Sequence, residues 1–205
     1  MPSPTSSLLL FGGGVDSVCL GAFLHEHGTS FDLLFIDYRQ KAVVGEFEAA
    51  VFFAEEFDAK LHCIRSDAYR NIKNPILNGE MAKEHSHNVL PIRNQLFLTL
   101  ATIFAGENGY NKIYLGFHQE PFDSKFYDAT PAFVDSYQQL LNIQEVRVEI
   151  KTPFAFLPQR DYLQYATKSQ LSKSFSCYES KTETECGQCT HCTRKRELFK
   201  SLDVD

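Results

Sequence analysis

The sequence predicts an α/β fold, a doubly wound parallel sheet with a C-terminal zinc-binding segment, in a single domain over residues 1–205. Three observations carry that expectation. Short apolar runs alternate with longer stretches of helical periodicity, the order that builds a parallel sheet covered on both faces. A glycine loop, Gly12-Gly13-Gly14-Val15-Asp16-Ser17, separates the first apolar run from the first helical stretch. And Cys177-x8-Cys186-x2-Cys189-x2-Cys192 gathers four of the six cysteines into sixteen residues.

Ser7 to Phe11 reads as the first strand, and the helix after the glycine loop runs to about Glu26, where Gly28 stops it. Phe31 to Ile36 is a second strand ending at Asp37. Val43 to Phe57 is helical, with Phe47, Val51 and Ala54 on one face, and Lys60 to Ile64 is a third strand. Ser66 to Val89 is polar and irregular and is expected to be a mobile loop. Arg93 to Glu107 is a helix with Leu96, Leu100 and Ile103 in register, followed by Gly109. Lys112 to Gly116 is a strand around Ile113-Tyr114-Leu115. Thr130 to Gln144 is a helix capped by Thr130 or Asp128, with Pro131 in its first turn. Val146 to Lys151 alternates as a strand, Gln159 to Leu171 is a helix begun after Pro158, and a last helix runs to about Leu202.

At 205 residues and 43% hydrophobic content the chain can bury one proper core, and its 18 Phe with no Trp make that core aromatic-rich. No window of about 18 apolar residues exists, so no membrane span is expected. A formal charge of −6 and a pI near 5.6 argue against a nucleic-acid surface. The compact basic run Arg194-Lys195-Arg196 is read as helix-end cations that favour the dipole. Met1 to Ser7 carries no basic residue and the following apolar run is short, unlike a secretory signal. A reducing, cytoplasmic compartment is therefore expected, where stable disulfides are disfavoured.

The cysteine spacing points to structural zinc. Two-residue gaps let the backbone wrap one ion, and four thiolates leave no open position for catalysis. An iron–sulfur site uses the same ligands and stays open as an alternative. His191 lies within the cluster and is expected beside the metal or in solvent rather than as a ligand.

The glycine loop sits where such a fold keeps its ligand, at the carboxyl end of a strand and the start of a helix. Successive amides there cradle an anion. Ser17 can donate a hydroxyl to phosphate, and Asp16 can hold a metal ion or cap the helix. The loop is neither a Walker loop nor the GxGxxG dinucleotide fingerprint.

Together, in this order, these features resemble the 7-cyano-7-deazaguanine synthases, the QueC family of the N-type ATP-pyrophosphatase (PP-loop) superfamily, whose sheet is of the adenine nucleotide alpha-hydrolase-like (HUP) type. The likeness covers nearly the whole chain. Gly12 to Ser17 matches that family's S-G-G-x-D-S except at its first position. Asp37-Tyr38-Arg39-Gln40-Lys41 looks like its D-Y-x-Q-R, Pro91-Ile92-Arg93-Asn94 like its P-x-R-N, Thr152-Pro153 like its Thr-Pro, and Cys177-Tyr178 through Cys192 like its terminal cysteine pattern.

What the resemblance implies is an ATP-dependent carbon–nitrogen ligase. Such enzymes adenylate the carboxylate of 7-carboxy-7-deazaguanine, admit ammonia to give an amide, and dehydrate it to a nitrile, a precursor of queuosine. It implies nucleotide contacts from Phe11, Gly12, Gly13, Gly14, Val15, Asp16, Ser17, Asp37 and Tyr38. It implies substrate contacts from Gln40, Arg93, Asn94, Gly116, His118, Tyr127 and Asp128. Catalysis would fall to Asp16, Ser17 and Arg93, with Mg²⁺ on the phosphates and Zn²⁺ on Cys177, Cys186, Cys189 and Cys192. The family often dimerises.

The chain also departs from the pattern. Gly12 replaces a loop serine, Ala42 a histidine, and Gln159 a lysine expected to reach phosphate, with Arg160 beside it as a candidate replacement. Asp123 to Thr130 lacks the family's Cys-Arg. These changes gather at the chemical end. They are compatible with a diverted enzyme that joins the activated carboxylate to another amine, even on a protein in a defence system. A nucleotide-binding protein without catalysis is the non-enzymatic alternative. Sulfur transfer to tRNA ranks low, since Cys19 falls in a buried pattern and the chain is acidic. Cys19 and Cys63 are expected in the core, His85 and His87 in a solvated loop, and His118 at the ligand edge as base or substrate contact.

Overall fold

A computed structural model of the protein describes residues 7–78, 89–119 and 126–200. Strands β1 (Ser7–Leu10), β2 (Phe31–Asp37), β3 (Leu61–Arg65), β4 (Lys112–Tyr114) and β5 (Glu149–Lys151) form one sheet in the order β3-β2-β1-β4-β5. Every pairing is parallel, and Leu9 stands in register with Leu33 on one side and Tyr114 on the other. Parallel neighbours require long crossovers. Helices α1 (Val15–Glu26), α2 (Val43–Glu56), α3 (Arg93–Asn108) and α4 (Pro131–Ile143) supply them.

Strand alternation divides the apolar residues between two cores. Leu9, Leu33 and Phe35 face α1 and α2 with Phe53, whereas Leu8, Leu34 and Ile113 face the α3 and α4 side with Leu98 and Val134. All seven residues of β2 are buried, as cover on both faces demands. The chain grows outward from β1 to β3 and then crosses back to β4, so the strand order reverses between β1 and β4. Such a reversal opens a crevice at the carboxyl ends of the strands.

Several elements differ from their expected form. The buried face of α3 is Leu98, Ala101, Thr102 and Ala105, while Ile103 is 60% exposed. Small side chains bring that helix close to the sheet, and the larger Leu96 and Leu100 sit at the rim. The single helix expected over 159–171 is broken into α5 (Gln159–Tyr162), a 3-10 turn at Leu163–Tyr165 and α6 (Lys168–Lys173). Thr167 restarts the helix through a capping box: its hydroxyl accepts from Gln170 N at 3.2 Å and Gln170 Oε1 accepts from Thr167 N at 2.9 Å. Within the expected loop, Ile76 and Leu77 are buried against Tyr38 and Leu90, so this stretch is anchored; His85 and His87 lie outside the described residues. Cys63 is exposed on the edge strand rather than in the core. The basic run sits in the middle of α7 (Thr190–Lys200), not at its end, and Lys195 is buried. No helix among the described residues is long and apolar enough to cross a membrane.

Candidate active site at the strand-order reversal

The glycine loop leaves β1 and turns sharply at Gly13, whose φ is +74°. A Cβ there would stand 2.9 Å from Ala49 Cβ and 3.0 Å from Glu46 O, so α2 closes against bare backbone. Gly14 caps α1 without a side chain, leaving the first amides of the helix to another acceptor. The Ser17 hydroxyl donates to Gly14 O at 2.9 Å. From β4, Gly116 meets the first turn of α1, and a Cβ on it would lie 3.2 Å from the Asp16 carbonyl and from Ser17 N.

A cavity of about 410 Å³ opens over this edge. Phe11, Gly12, Gly14, Val15, Asp16, Ser17, Tyr38, Gln40, Arg93, Gly116 and His118 all border it. A second cavity of about 250 Å³ adjoins it and is bordered by Asn94 and Asp128. The two share Asp16, Arg93, Gly116, Phe117, His118, Phe126, Tyr178 and His191. Asn94 fixes the far wall: its backbone N donates to Asp128 Oδ2 at 3.1 Å and its Nδ2 to Asp128 O at 3.0 Å.

Three residues named from the sequence border neither cavity. Gly13 faces α2. Asp37 shapes the bend after β2, accepting from Arg65 Nε at 2.8 Å and from the amide of Arg39, which has φ +70°. Tyr127 is 77% exposed.

Asp16 is the hub where the cavities meet. Its Oδ1 accepts from Gln159 Nε2 at 2.9 Å and from Tyr162 OH at 2.5 Å, and its Oδ2 faces His118 Nε2 at 3.6 Å. Gln159 is thus a neutral positioner of the carboxylate. Arg160 borders neither cavity, and its side chain is 83% exposed beside Asp161. Burial, aided by the Asp16 charge, raises the Cys19 thiol far above its usual range, which removes a thiolate from this part of the site.

A second group lines the β2 side. Gln40 is held by Tyr38 N, which donates to its Oε1 at 2.9 Å, and Gln40 Nε2 donates to Glu46 Oε2 at 2.7 Å. Burial pushes the Glu46 carboxyl up to about 7, against the pull of Gln40 and Arg93. Burial works against the Arg93 charge, but the phenols of Tyr38 and Tyr178 outweigh it and hold the guanidinium protonated. Tyr178 also stacks on His191, ring centroids 3.8 Å apart.

The cysteine segment forms the remaining wall. The Sγ atoms of Cys177, Cys186, Cys189 and Cys192 lie within 4.8 Å of one another, with separations of 3.4 Å for Cys189–Cys192 and 3.9 Å for Cys186–Cys192. Four thiolates around one zinc ion stand about 3.8 Å apart, so the set fits a single tetrahedral ion. Ser180 N and Cys186 N donate to Cys177 Sγ, and Cys189 N donates to Cys186 Sγ, the support that thiolates need. Burial would raise the Cys186 thiol, but the amides of Gln188 and Cys189 bring it down to about 7.

Sequence reasoning missed Glu46, Tyr162, Tyr178 and the inward face of α7. Tyr178 was legible beside Cys177. The others depend on helix crossings that a linear pattern does not encode.

The chain is similar to curated proteins over nearly its full length. A 7-cyano-7-deazaguanine synthase of Sulfurisphaera tokodaii is 29% identical over 97% of this chain and 94% of its own. One from Chlorobaculum tepidum is 27% identical over 97% and 93%. Among solved structures, a predicted subunit of tRNA methyltransferase from Methanocaldococcus jannaschii superposes with a TM-score of 0.50 at 16% identity, over 97% of this chain and 88% of that one, and supports the fold alone. The family described as queuosine biosynthesis protein QueC matches residues 6–203, and the chain belongs to that family.

Proposed function

We propose that the protein is an ATP-dependent carbon–nitrogen ligase acting on 7-carboxy-7-deazaguanine or a closely related carboxylate. The observation that carries this reading is the pair of adjoining cavities meeting at Asp16, Arg93 and His118, on the loop side of the strand-order reversal. The larger takes the nucleotide, whose phosphates meet the open amides of α1 and its dipole. The smaller takes the flat heterocycle against Asn94 and Asp128.

The reaction is acyl transfer in two displacements. A carboxylate oxygen attacks the α-phosphorus of ATP, and pyrophosphate leaves from the glycine loop. Ammonia then attacks the carbonyl carbon and AMP leaves, giving the amide; the amide oxygen then attacks the α-phosphorus of a second ATP with release of pyrophosphate, and AMP departs with that oxygen as the nitrogen loses its protons, giving the nitrile. The charge that develops on the leaving group is met by backbone amides and by the fixed charge of Arg93. His118, 3.6 Å from Asp16 Oδ2, is placed to accept the proton released by the attacking amine. Mg²⁺ bound with the triphosphate would neutralise phosphate charge, and Asp16, a carboxylate bordering the cavity at the glycine loop, would be the residue to help hold it. The four cysteines would hold Zn²⁺ as a structural ion, because four thiolates would leave it no open position.

The test is pyrophosphate release from ATP by metal-replete protein, with and without 7-carboxy-7-deazaguanine. Release that requires the carboxylate supports the ligase, and mass spectrometry of the product identifies the acceptor amine. Nucleotide binding with no release at any carboxylate would replace this reading with a binding protein.

A further inference from the structure

The reading above places a triphosphate in the larger cavity, and on that reading the geometry points to Arg194 as the cation that receives its terminal phosphates. A helix N-terminus offers only about half a positive charge. A triphosphate therefore needs further cations, and those bordering the cavity differ in what they already do. Arg93 is engaged by Tyr38 and Tyr178. Lys195 Nζ donates to Ser174 O and to Glu185 Oε2, the latter at 3.1 Å. Arg194 borders the same cavity and makes no hydrogen bond or ion pair among the described residues.

Its position follows from the cysteine module. His191, Arg194, Lys195 and Leu198 recur at i, i+3, i+4 and i+7, so they share one face of α7, and all four border the cavity. Cys189 and Cys192 tie the start of that helix to the metal-ligand set. The chain just before the set is fastened to the glycine loop, where Phe175 N donates to Gly13 O at 2.8 Å. The module that looks purely structural thus brings an uncommitted arginine to the border of the cavity that the glycine loop also lines. Arg suits this task because its planar fork meets phosphate oxygens in pairs.

Calorimetric titration of the metal-replete protein with ATP and with AMP, in parallel, tests the assignment. Arg194→Ala is expected to weaken ATP roughly tenfold or more, the worth of one charge-assisted contact, and to leave AMP within about twofold. Arg194→Lys should restore most of the difference, and Arg160→Ala, on an exposed side chain, should change neither. Equal ATP affinity in wild type and Arg194→Ala would overturn the inference while leaving the ligase reading intact. So would a matched loss of ATP and AMP with a lowered melting temperature, the mark of a merely structural arginine. Failure of the wild type to bind ATP would overturn both.

Discussion

The two ends of the sheet carry polar networks of opposite character. At the amino ends of the strands, Asp32 accepts from Tyr110 OH at 2.5 Å and from Lys60 N at 3.1 Å, and His62 Nε2 lies 2.9 Å from the same tyrosine oxygen. Burial, then the Asp32 charge, raises the Tyr110 phenol well above its usual range, so it stays a donor. Every member points at another member. At the carboxyl ends, Asp16, Glu46, Arg93 and His118 are also bonded or charge-paired, yet all four border a cavity. The first network uses its hydrogen bonds to pin strands together. The second places its charged and polar groups on the wall of a cavity, where a ligand can reach them.

Loss of the metal-ligand set should separate the two ends most sharply. In Cys192→Ser, or after chelation, the wall from Phe175 to Leu198 loses its anchor. Hydrogen exchange should show protection lost over 174–198 and over the glycine loop, while the strands around Asp32 stay protected. Pyrophosphate release should fall to background, since structural zinc contributes folding free energy on the order of 10 kcal/mol in small sites. Unchanged protection at the loop would mean that the module does not support the site.

Asp16→Asn keeps an acceptor for Gln159 and Tyr162 but deletes the charge. Pyrophosphate release is expected to drop about 100-fold, comparable to removing one preorganised electrostatic group, with the melting temperature nearly unchanged. Tyr110→Phe is its mirror image. It strips a donor from a carboxylate that is 5% exposed and should cost about 2 kcal/mol in denaturant titration, with nucleotide affinity unaltered. If Tyr110→Phe changed the affinity, or Asp16→Asn cost as much stability, the division between the ends would collapse.

The sequence makes one of these ends far more legible than the other. The strand segments, the glycine loop and the cysteine set all rest on local pattern, and each is found where it is expected, with β4 and β5 shorter than their expected bounds. Asp32 and His62 lie in two strands and Tyr110 in the turn between α3 and β4, and only the assembled sheet brings them together, so nothing in the linear pattern marks them. Glu46 was hidden for a related reason. It opens the first turn of α2, where an acidic residue ordinarily serves the helix dipole, and only the crossing of α2 over Gly13 turns it to the cavity. The break between α5 and α6 was readable in principle, because Thr167 and Gln170 have capping-box spacing, but Gln159 to Leu171 stays apolar enough to pass for one helix.

Glu46 gives the subtlest way to sharpen the comparison, because its contribution takes the form of a proton. Its carboxyl titrates near 4.5 when free and near 7 in the fold, chiefly through burial. Folding therefore favours the protonated acid. That stabilisation is complete below about pH 4.5 and is lost as pH rises through 7, as the carboxylate has to ionise in a poorly solvated place. A shift of this size sets an upper bound of about 3 kcal/mol, and water in the cavity reduces the expected loss to about 1–2 kcal/mol. Glu46→Gln keeps an acceptor for Gln40 and has no proton to lose. Its stability relative to wild type should rise between pH 5 and 8 by about that amount. Denaturant midpoints across this range measure it. A ligand bearing N–H donors should oppose the trend by binding the ionised form, so wild type would lose less stability with pH when the cavity is filled. The network around Asp32 borders neither of these two cavities, so a ligand bound there would not change its response. Parallel pH profiles for wild type and Glu46→Gln, with or without ligand, would mean that Glu46 belongs with the closed network rather than the open one.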